Sequence, residues 1–225
     1  MRDLHIRAFR SVVLTVLSLA ALLFVPAWTF EYWQAWAYMA VFLAMTSWIT
    51  VYFVVNDPAL IERRMNAGPQ AEKESSQKII MSFAMIGFIG LIVVPALDRH
   101  FGWSPVAPAV SVIGDALVAL GFLLFFCVLR QNRYAASTIE VAAGQTVIST
   151  GLYGIVRHPM YAGALPLLIG TPLALGSWWG LGALAVIAPA VVWRLLDEEK
   201  FLAKNLPGYV AYCAEVRWHL IPWIF

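Results

Sequence analysis

The sequence predicts an all-α protein, a polytopic membrane bundle of about six transmembrane helices. Of its 225 residues, 61% are hydrophobic and only 12% are charged. Soluble domains are typically about 45–50% apolar and about 25% charged. So much apolar surface exceeds what one soluble core of this size buries, so lipid must cover part of it. The ten Trp and eight Tyr residues fit aromatic belts at the two membrane surfaces.

Six apolar stretches are the predicted spans. They are residues 11–28, 33–55, 79–97, 106–129, 160–175 and 178–196. A span needs about 20 residues, and the fifth stretch is short and contains Pro166 and Pro172. We therefore expect it to be kinked, or to form a tight helical hairpin with the sixth that turns within residues 176–182. No cleavage site follows the first stretch, which predicts a retained helix.

The distribution of basic residues predicts that both termini are cytoplasmic. Six crossings place the termini and the connections 56–78 and 130–158 on one side of the membrane. Of the fifteen Lys and Arg residues, all but Arg99 fall on that side, which leaves fourteen there. They are Arg2, Arg7, Arg10, Arg63, Arg64, Lys73, Lys78, Arg130, Arg133, Arg157, Arg194, Lys200, Lys204 and Arg217. By the positive-inside rule this side is the cytoplasm, and we expect a multi-pass protein of a bacterial inner membrane.

The chain is expected to divide into a four-span bundle, residues 1–129, and a C-terminal catalytic region, residues 130–225, with two spans and an interfacial tail. Cys127 and Cys213 are predicted to be free thiols, since two cysteines do not make a disulfide scaffold. The net charge of +2 gives no indication of a nucleic-acid partner.

The first cluster of chemically competent residues lies at the start of the fifth stretch. Its members are Gly151, Tyr153, Arg157, His158, Pro159, Tyr161 and Gly163. Proline favours the first position of a helix, so Pro159 predicts a helix with His158 at its N-cap. The free N–H groups of that helix end, together with Arg157, suit an anion. The alternative is that Arg and Tyr residues at a membrane boundary serve only as interfacial anchors.

The second cluster ends the sixth stretch and contains Arg194, Glu198 and Glu199. Arg194 and Glu198 are four residues apart and can pair on one helical face. Acids near a helix C-terminus oppose the helix dipole. Either the helix continues into the cytosol and leaves them solvated, or an acid receives a ligand. The hairpin brings both clusters to the same membrane face, which indicates a ligand with one anionic and one cationic end.

In order, these motifs resemble the isoprenylcysteine carboxyl methyltransferase family, and the phospholipid N-methyltransferases are similar over the same region. The resemblance covers roughly residues 130–225, whereas the earlier spans match only in being hydrophobic. The matching residues are Gly151, Tyr153, Arg157, His158, Pro159, Tyr161, Gly163, Arg194, Glu198, Glu199, Gly208, Tyr209, Tyr212 and Pro222.

The resemblance implies a pocket for S-adenosyl-L-methionine on the cytoplasmic side, with a lipidic acceptor entering from the bilayer. It implies that the first cluster, together with Glu199 and Gln145, contacts the methyl donor. It also places Arg194 with Glu198 or Glu199 at the methyl acceptor, where they are the expected catalytic residues. Asn132 is expected to contact the substrate.

Methyl transfer from a sulfonium is an in-line displacement, so we expect the protein chiefly to position donor and acceptor. No metal site is predicted, because the four His residues are scattered along the sequence. Two alternatives stay open at this stage. One is a sterol-reductase-like membrane enzyme that uses NADPH, and the other is a non-catalytic membrane accessory protein of the same fold. The acceptor is expected to be a lipidic or small hydrophobic carboxylate or amine.

Overall fold

The structure, a computed structural model, describes residues 2–65, 67–72 and 74–225. All regular structure in these ranges is helical and no strand is present among them, which confirms the predicted all-α class. The helices are α1 Arg2–Ala27, α2 Trp33–Asn56, α3 Pro58–Met65, α4 Ser75–Phe101, α5 Pro108–Gln131, α6 Pro159–Ala174, α7 Leu184–Asn205 and α8 Tyr209–Glu215. Short 3₁₀ helices occur at Pro69–Ala71, Gly151–Gly154 and Trp179–Ala183.

Within the described ranges, five helical segments are long and apolar enough to cross a membrane. They are Phe9–Ala27, Trp33–Asn56, Ser75–Phe101, Pro108–Gln131 and Trp179–Asn205. Many large apolar side chains on these helices are exposed, including Phe9, Val51 and Ile86. A soluble monomer rarely exposes so much contiguous apolar surface. The chain is therefore a multi-pass integral membrane protein.

The remaining predicted span, α6, is shorter than the other five. It has 16 residues and contains Pro166 and Pro172, whereas a full crossing needs about 20 residues. The predicted hairpin turn lies where expected, between α6 and α7. However, α6 packs mainly on α5 and α7 packs mainly on α4, so the two arms of the hairpin share only a limited contact, which includes Leu168 of α6 and Ile187 of α7.

Hydrogen bonds tie the connections together at each end of the bundle. At one end the Tyr32 hydroxyl donates to the Leu175 carbonyl at 2.7 Å, and the Asp98 carboxylate accepts hydrogen bonds from Ser104 and Ser177. The opposite end gathers α3, the connection after α5, the start of α6 and the end of α7. The first turns of α1 and the C-terminal tail also lie at this second end. Lys73 and the side chain of Arg2, both counted in the predicted charge asymmetry, lie outside the described part of the chain.

Four glycines bring α5 and α6 into close contact. On α5 they are Gly114 and Gly121, and on α6 they are Gly163 and Gly170. A Cβ on Gly114 would lie 2.1 Å from the Ala174 main-chain nitrogen, and a Cβ on Gly170 would lie 2.7 Å from the Gly114 carbonyl oxygen. Small residues at helix interfaces allow this close packing within membranes. The contact fixes α6 on α5, and with it the polar residues at the start of α6.

Gly114→Ala is expected to destabilise the bundle by about 1–3 kcal/mol, because the new methyl group meets the main chain of α6 rather than a movable side chain. Gly182→Ala is the matched control, since a Cβ there has no atom within 4 Å. Thermal unfolding in detergent measures both. An equal midpoint for the two variants would contradict the proposed close packing.

Candidate active site

The site begins at the N-terminus of α6. His158 is the N-cap residue and Pro159 occupies the first turn, as the sequence predicted. The main chain before the helix is held by the C-terminal tail, because Arg157 N–H donates to the Trp218 carbonyl at 2.8 Å and His158 N–H donates to the His219 carbonyl at 3.0 Å. The tail thus uses the free N–H groups ahead of α6 and fixes the direction of both side chains.

The first part of the site is the carboxylate of Glu199, which is surrounded by the basic side chains of Arg157, His158 and His219. Glu199 Oε1 lies 3.1 Å from Arg157 Nε and 3.1 Å from His158 Nε2, and its Oε2 lies 3.3 Å from His219 Nε2. His158 is only 5% exposed. Burial lowers the pKa of His219, and Glu199 opposes this effect. The fixed charge of Arg157 therefore balances that of Glu199, and His219 is mainly neutral at neutral pH.

A buried guanidinium forms the second part. The Arg194 side chain forms an ion pair with Glu72 at 2.8 Å and donates hydrogen bonds to the Gln77 side chain and the Ser137 carbonyl, each at 3.0 Å. It also donates to the Tyr161 hydroxyl at 3.1 Å, which in turn donates to Glu198 at 2.7 Å. Spacing predicted that Arg194 and Glu198 could pair. The structure links them through Tyr161 and gives the ion pair to Glu72.

The first turn of α4 holds α7 at this point. The Gln77 amide oxygen accepts from Arg194 while its nitrogen donates to Asp197, and Ser76 also donates to Asp197. Gln77 is 2% exposed. Asp197 therefore lies at the N-terminus of α4, where the helix dipole favours an acid. This contact explains why Asp197 is tolerated near the end of α7.

The two parts adjoin a cavity of about 350 Å³, which lies within the range of roughly 300–1,000 Å³ typical of small-molecule sites. Most of the predicted site residues line it. They are Asn132, Gln145, Tyr153, Arg157, His158, Pro159, Tyr161, Arg194 and Glu198. Gly151, Gly163 and Glu199 are not on its wall. The structure thus brings the two predicted clusters together around one space.

The three predicted residues off the wall have other contacts. Gly163 faces α5, where a Cβ would lie 3.0 Å from Leu124 Cβ. Gly151 has φ +61°, and a Cβ there would lie 2.8 Å from the Gln131 side chain, whose Oε1 accepts from the Leu152 N–H. Both glycines permit close packing beside the cavity rather than contact with its contents. Glu199 lies behind Arg157 and His158.

One wall of the cavity is built around Tyr153. The Asn132 side-chain amide donates to the Tyr153 hydroxyl at 2.8 Å, and the Tyr212 hydroxyl donates to the Tyr153 carbonyl at 2.7 Å. Burial raises the pKa of Tyr153 to about 12, so its hydroxyl keeps its proton at neutral pH. Gln145 Oε1 accepts from the Ala142 N–H at 2.9 Å, which stabilises a turn on the same wall.

Tyr209 contributes a polar atom that lacks a partner. It is 4% exposed and lines the cavity, and its hydroxyl makes no hydrogen bond among the described residues. Burial raises the pKa of Tyr209, with Glu199 adding to the shift. A buried hydroxyl without a partner is costly. This atom is therefore available to a ligand.

Sequence reasoning missed the contribution of the N-terminal half. Glu72 and Gln77 hold Arg194, and Arg64 lines the cavity. The only signal was that residues 56–78 carry more polar and charged residues than a simple connection needs. Arg194 lies more than 100 positions from Glu72 and Gln77 in the sequence, and helical spacing gives no information about such pairs.

The fold and the cavity define a multi-pass membrane protein with a charged cavity at one end of the bundle. Residues 110–207 match the family model described as phospholipid methyltransferase. The matched segment runs from α5 through α7 and contains both predicted clusters. The match confirms the resemblance to membrane methyltransferases and indicates a methyltransferase type of enzyme, a family that implies S-adenosyl-L-methionine as methyl donor.

A curated protein is also similar over part of the chain. The mouse (Mus musculus) Delta(14)-sterol reductase TM7SF2 is 31% identical over 91 residues, which cover 39% of this chain and 22% of the reductase. The chain thus spans about a fifth of the length of that relative. The similarity is confined to a minor part of each of the two chains.

Glu72→Ala is expected to destabilise the protein by about 3 kcal/mol or more, because it leaves the buried Arg194 charge without its carboxylate. Glu62→Ala is the control, since Glu62 pairs with Arg7 at 3.7 Å while both side chains are more than half exposed. Such surface pairs contribute about 1 kcal/mol or less. Chemical denaturation compares the two. Equal losses would show that the Arg194 ion pair does not hold the site together.

Proposed function

We propose that the chain is an S-adenosyl-L-methionine-dependent methyltransferase of the isoprenylcysteine carboxyl methyltransferase type. It acts on a lipidic or membrane-partitioned small acceptor at the cytoplasmic face of a bacterial inner membrane. The observation that carries this proposal is the convergence of Arg157, His158, Tyr161, Arg194 and Glu198 on one cavity within the segment that matches the methyltransferase family. Residues 130–225 supply most of the site, and residues 1–129 supply the bundle and the support of Arg194.

The residues of the cavity fit the methyl donor. The donor carries a carboxylate, an amino group, ribose hydroxyls and a sulfonium, so it needs both acidic and basic contacts. The cavity offers Arg157 and His158 on one side and Glu198 on the other. The unpaired hydroxyl of Tyr209 supplies a further polar contact. Tyr153 and Gln145 complete the donor side of this proposed site.

The roles of Arg157, His158 and Glu199 follow from their contacts. Glu199 binds both bases but does not line the cavity, so we assign it as a positioning residue that orients Arg157 and His158. Gly151 and Gly163 act through packing, by keeping the cavity walls close to α5. Pro159 begins the helix that presents His158 and Tyr161.

The acceptor side is assigned to Arg194, Glu198 and Asn132. The donor supplies an electrophilic methyl carbon. Arg194 is held by Glu72, Gln77 and Tyr161 and can orient an acceptor carboxylate without reorganising. For an amine acceptor, Glu198 takes the proton that the amine releases. A site at the membrane boundary excludes water, which favours a reaction between opposite charges.

The reductase similarity supports a second candidate, an enzyme that binds NADPH in the same cavity. A third candidate is an accessory protein that has kept the fold without turnover. The methyltransferase is preferred because the match to its family model covers both predicted clusters. Labelled methyl donor incubated with the purified protein and a lipid extract, followed by identification of the methylated product, tests turnover and names the acceptor.

Purified protein is expected to bind S-adenosyl-L-homocysteine, the demethylated donor, and to bind NADPH at least about tenfold more weakly. The physical reason is that the cavity of about 350 Å³ is small for a dinucleotide, which has about twice the bulk of the donor. Calorimetric titration of both ligands provides the measurement. Tighter binding of NADPH than of S-adenosyl-L-homocysteine would contradict the methyltransferase proposal and favour the reductase hypothesis.

His158→Ala and Glu199→Ala are each expected to weaken binding of S-adenosyl-L-homocysteine about tenfold, because a hydrogen-bonding side chain at the site is removed or misdirected. Tyr209→Phe is expected to lower this affinity several-fold without lowering the thermal midpoint, since the free protein loses only an unpaired hydroxyl. Cys127→Ser, at an exposed residue away from the cavity, is the control. Unchanged affinity in folded His158 and Glu199 variants would reject this site.

A further inference from the structure

Arg64 is the cation of the cavity for which neither the family resemblance nor the reaction provides a role. It lies in the last turn of α3, in the N-terminal half of the chain, and lines the cavity. Its main-chain carbonyl accepts a hydrogen bond from the Ser137 hydroxyl at 3.0 Å. Its Nη1 lies 3.8 Å from the Met160 sulfur, which is a weak acceptor. The backbone is therefore anchored while the guanidinium lacks a strong partner.

The other arginines on the cavity wall are neutralised by carboxylates. Arg157 pairs with Glu199 and Arg194 pairs with Glu72. Two acids also line the cavity, Glu140 and Glu198. Across residues 2–65, 67–72 and 74–225, no carboxylate lies within ion-pairing distance of Arg64. Arg64 is thus the arginine of the cavity wall without a salt-bridge partner among the described residues.

The environment of Arg64 makes the lack of a salt-bridge partner costly in free energy. Its side chain is partly buried, and burial lowers the pKa of Arg64, with only the nearby Tyr153 opposing this effect. A guanidinium nevertheless stays protonated in proteins. A buried charge without a partner raises the free energy of the folded state. Arg130, at the same end of the bundle, shows the ordinary alternative, because its side chain is exposed beside Phe126.

Tyr153 provides a second donor on the same wall. Its hydroxyl already accepts a hydrogen bond from Asn132, so the hydroxyl proton is free to be donated. Tyr153 is close enough to Arg64 for each to influence the ionisation of the other. A guanidinium and a phenolic O–H that face one space suit an oxyanion, which accepts hydrogen bonds from both.

We propose that Arg64 and Tyr153 form an oxyanion-binding site that receives a carboxylate or phosphate group of a ligand in this cavity. The positive charge of this site belongs to Arg64 on α3, and the site is separate from the Arg157–Glu199 pair. Its occupant is either the carboxylate of the methyl donor or an acidic group of the acceptor. The site does not depend on the proposed methyl transfer, because a guanidinium and a phenolic O–H can bind an anionic group whichever reaction follows.

The test uses the full chain purified in a nonionic detergent. S-adenosyl-L-homocysteine, through its carboxylate, and octyl phosphate provide the anionic group and are called the anionic probes, and octanol is the neutral probe. Arg64→Gln is expected to weaken binding of at least one anionic probe about tenfold or more, the usual effect of losing a hydrogen bond to a charged group. Tyr153→Phe is expected to weaken it about threefold. Arg64→Lys retains part of the affinity. Arg130→Gln is the matched control and leaves it unchanged.

The pattern of losses identifies the source of the oxyanion. A loss confined to S-adenosyl-L-homocysteine assigns the site to the donor carboxylate, and a loss confined to octyl phosphate assigns it to the acceptor. If wild-type protein binds octyl phosphate through Arg64 but does not bind S-adenosyl-L-homocysteine, the proposed methyltransferase fails while this site stands. Octanol affinity is expected to be the same in all variants.

A structural role for Arg64 would give a different result. Because the guanidinium lacks a carboxylate partner, Arg64→Gln is expected to leave the thermal midpoint of the free protein unchanged or to raise it. A lower midpoint with unchanged probe affinity in Arg64→Lys and Tyr153→Phe would overturn the proposal. It is also overturned if wild-type protein binds neither anionic probe, or if Arg64→Gln binds both as tightly as wild type does.

Discussion

The burial of Arg194 is the constraint on which the rest of the site depends. The guanidinium of Arg194, buried within α7, loses its hydration. The protein must replace the lost water contacts with fixed partners. Glu72 supplies the opposite charge, while Gln77, the Ser137 carbonyl and Tyr161 supply hydrogen-bonding groups. These partners come from four separate segments of the chain. One side chain thereby joins the connection before α4, α4, the connection after α5 and α6 to α7.

A second set of contacts completes the cavity from the other side. Main-chain carbonyls of the C-terminal tail accept hydrogen bonds from the main-chain N–H groups of Arg157 and His158. The side chain of His219, also in the tail, lies beside Glu199. The close contact between α5 and α6 then sets how far His158 stands from α7. Helix packing in the membrane and charge pairing at its boundary therefore act on the same residues. The outcome is a polar cavity in which Arg157 and Arg194 are paired with carboxylates and Arg64 is not.

Much of this arrangement could be predicted from the chain alone. The apolar lengths predicted six spans, of which five are helices long enough to cross a membrane, and the basic residues predicted a common side for the termini. Pro159 placed the start of α6 because its ring suits the first turn of a helix. The adjacency of the two clusters followed from the hairpin, and the contacts of His158 with Glu199 and of Tyr161 with Glu198 agree with it. The partner of Arg194 was not predictable, since Glu72 lies far away in sequence.

The sequence by itself determined that this protein spans a membrane, where α6 begins, and which motifs resemble those of membrane methyltransferases. These properties are local, because hydropathy, proline geometry and motif spacing act over a few turns of helix. Only the tertiary structure decided which charges are paired, that Glu199 stands behind the cavity wall, and that Arg64 faces the cavity without a carboxylate. Pairing depends on the distance and burial of groups from separate helices, and neither quantity is encoded in the spacing along one chain.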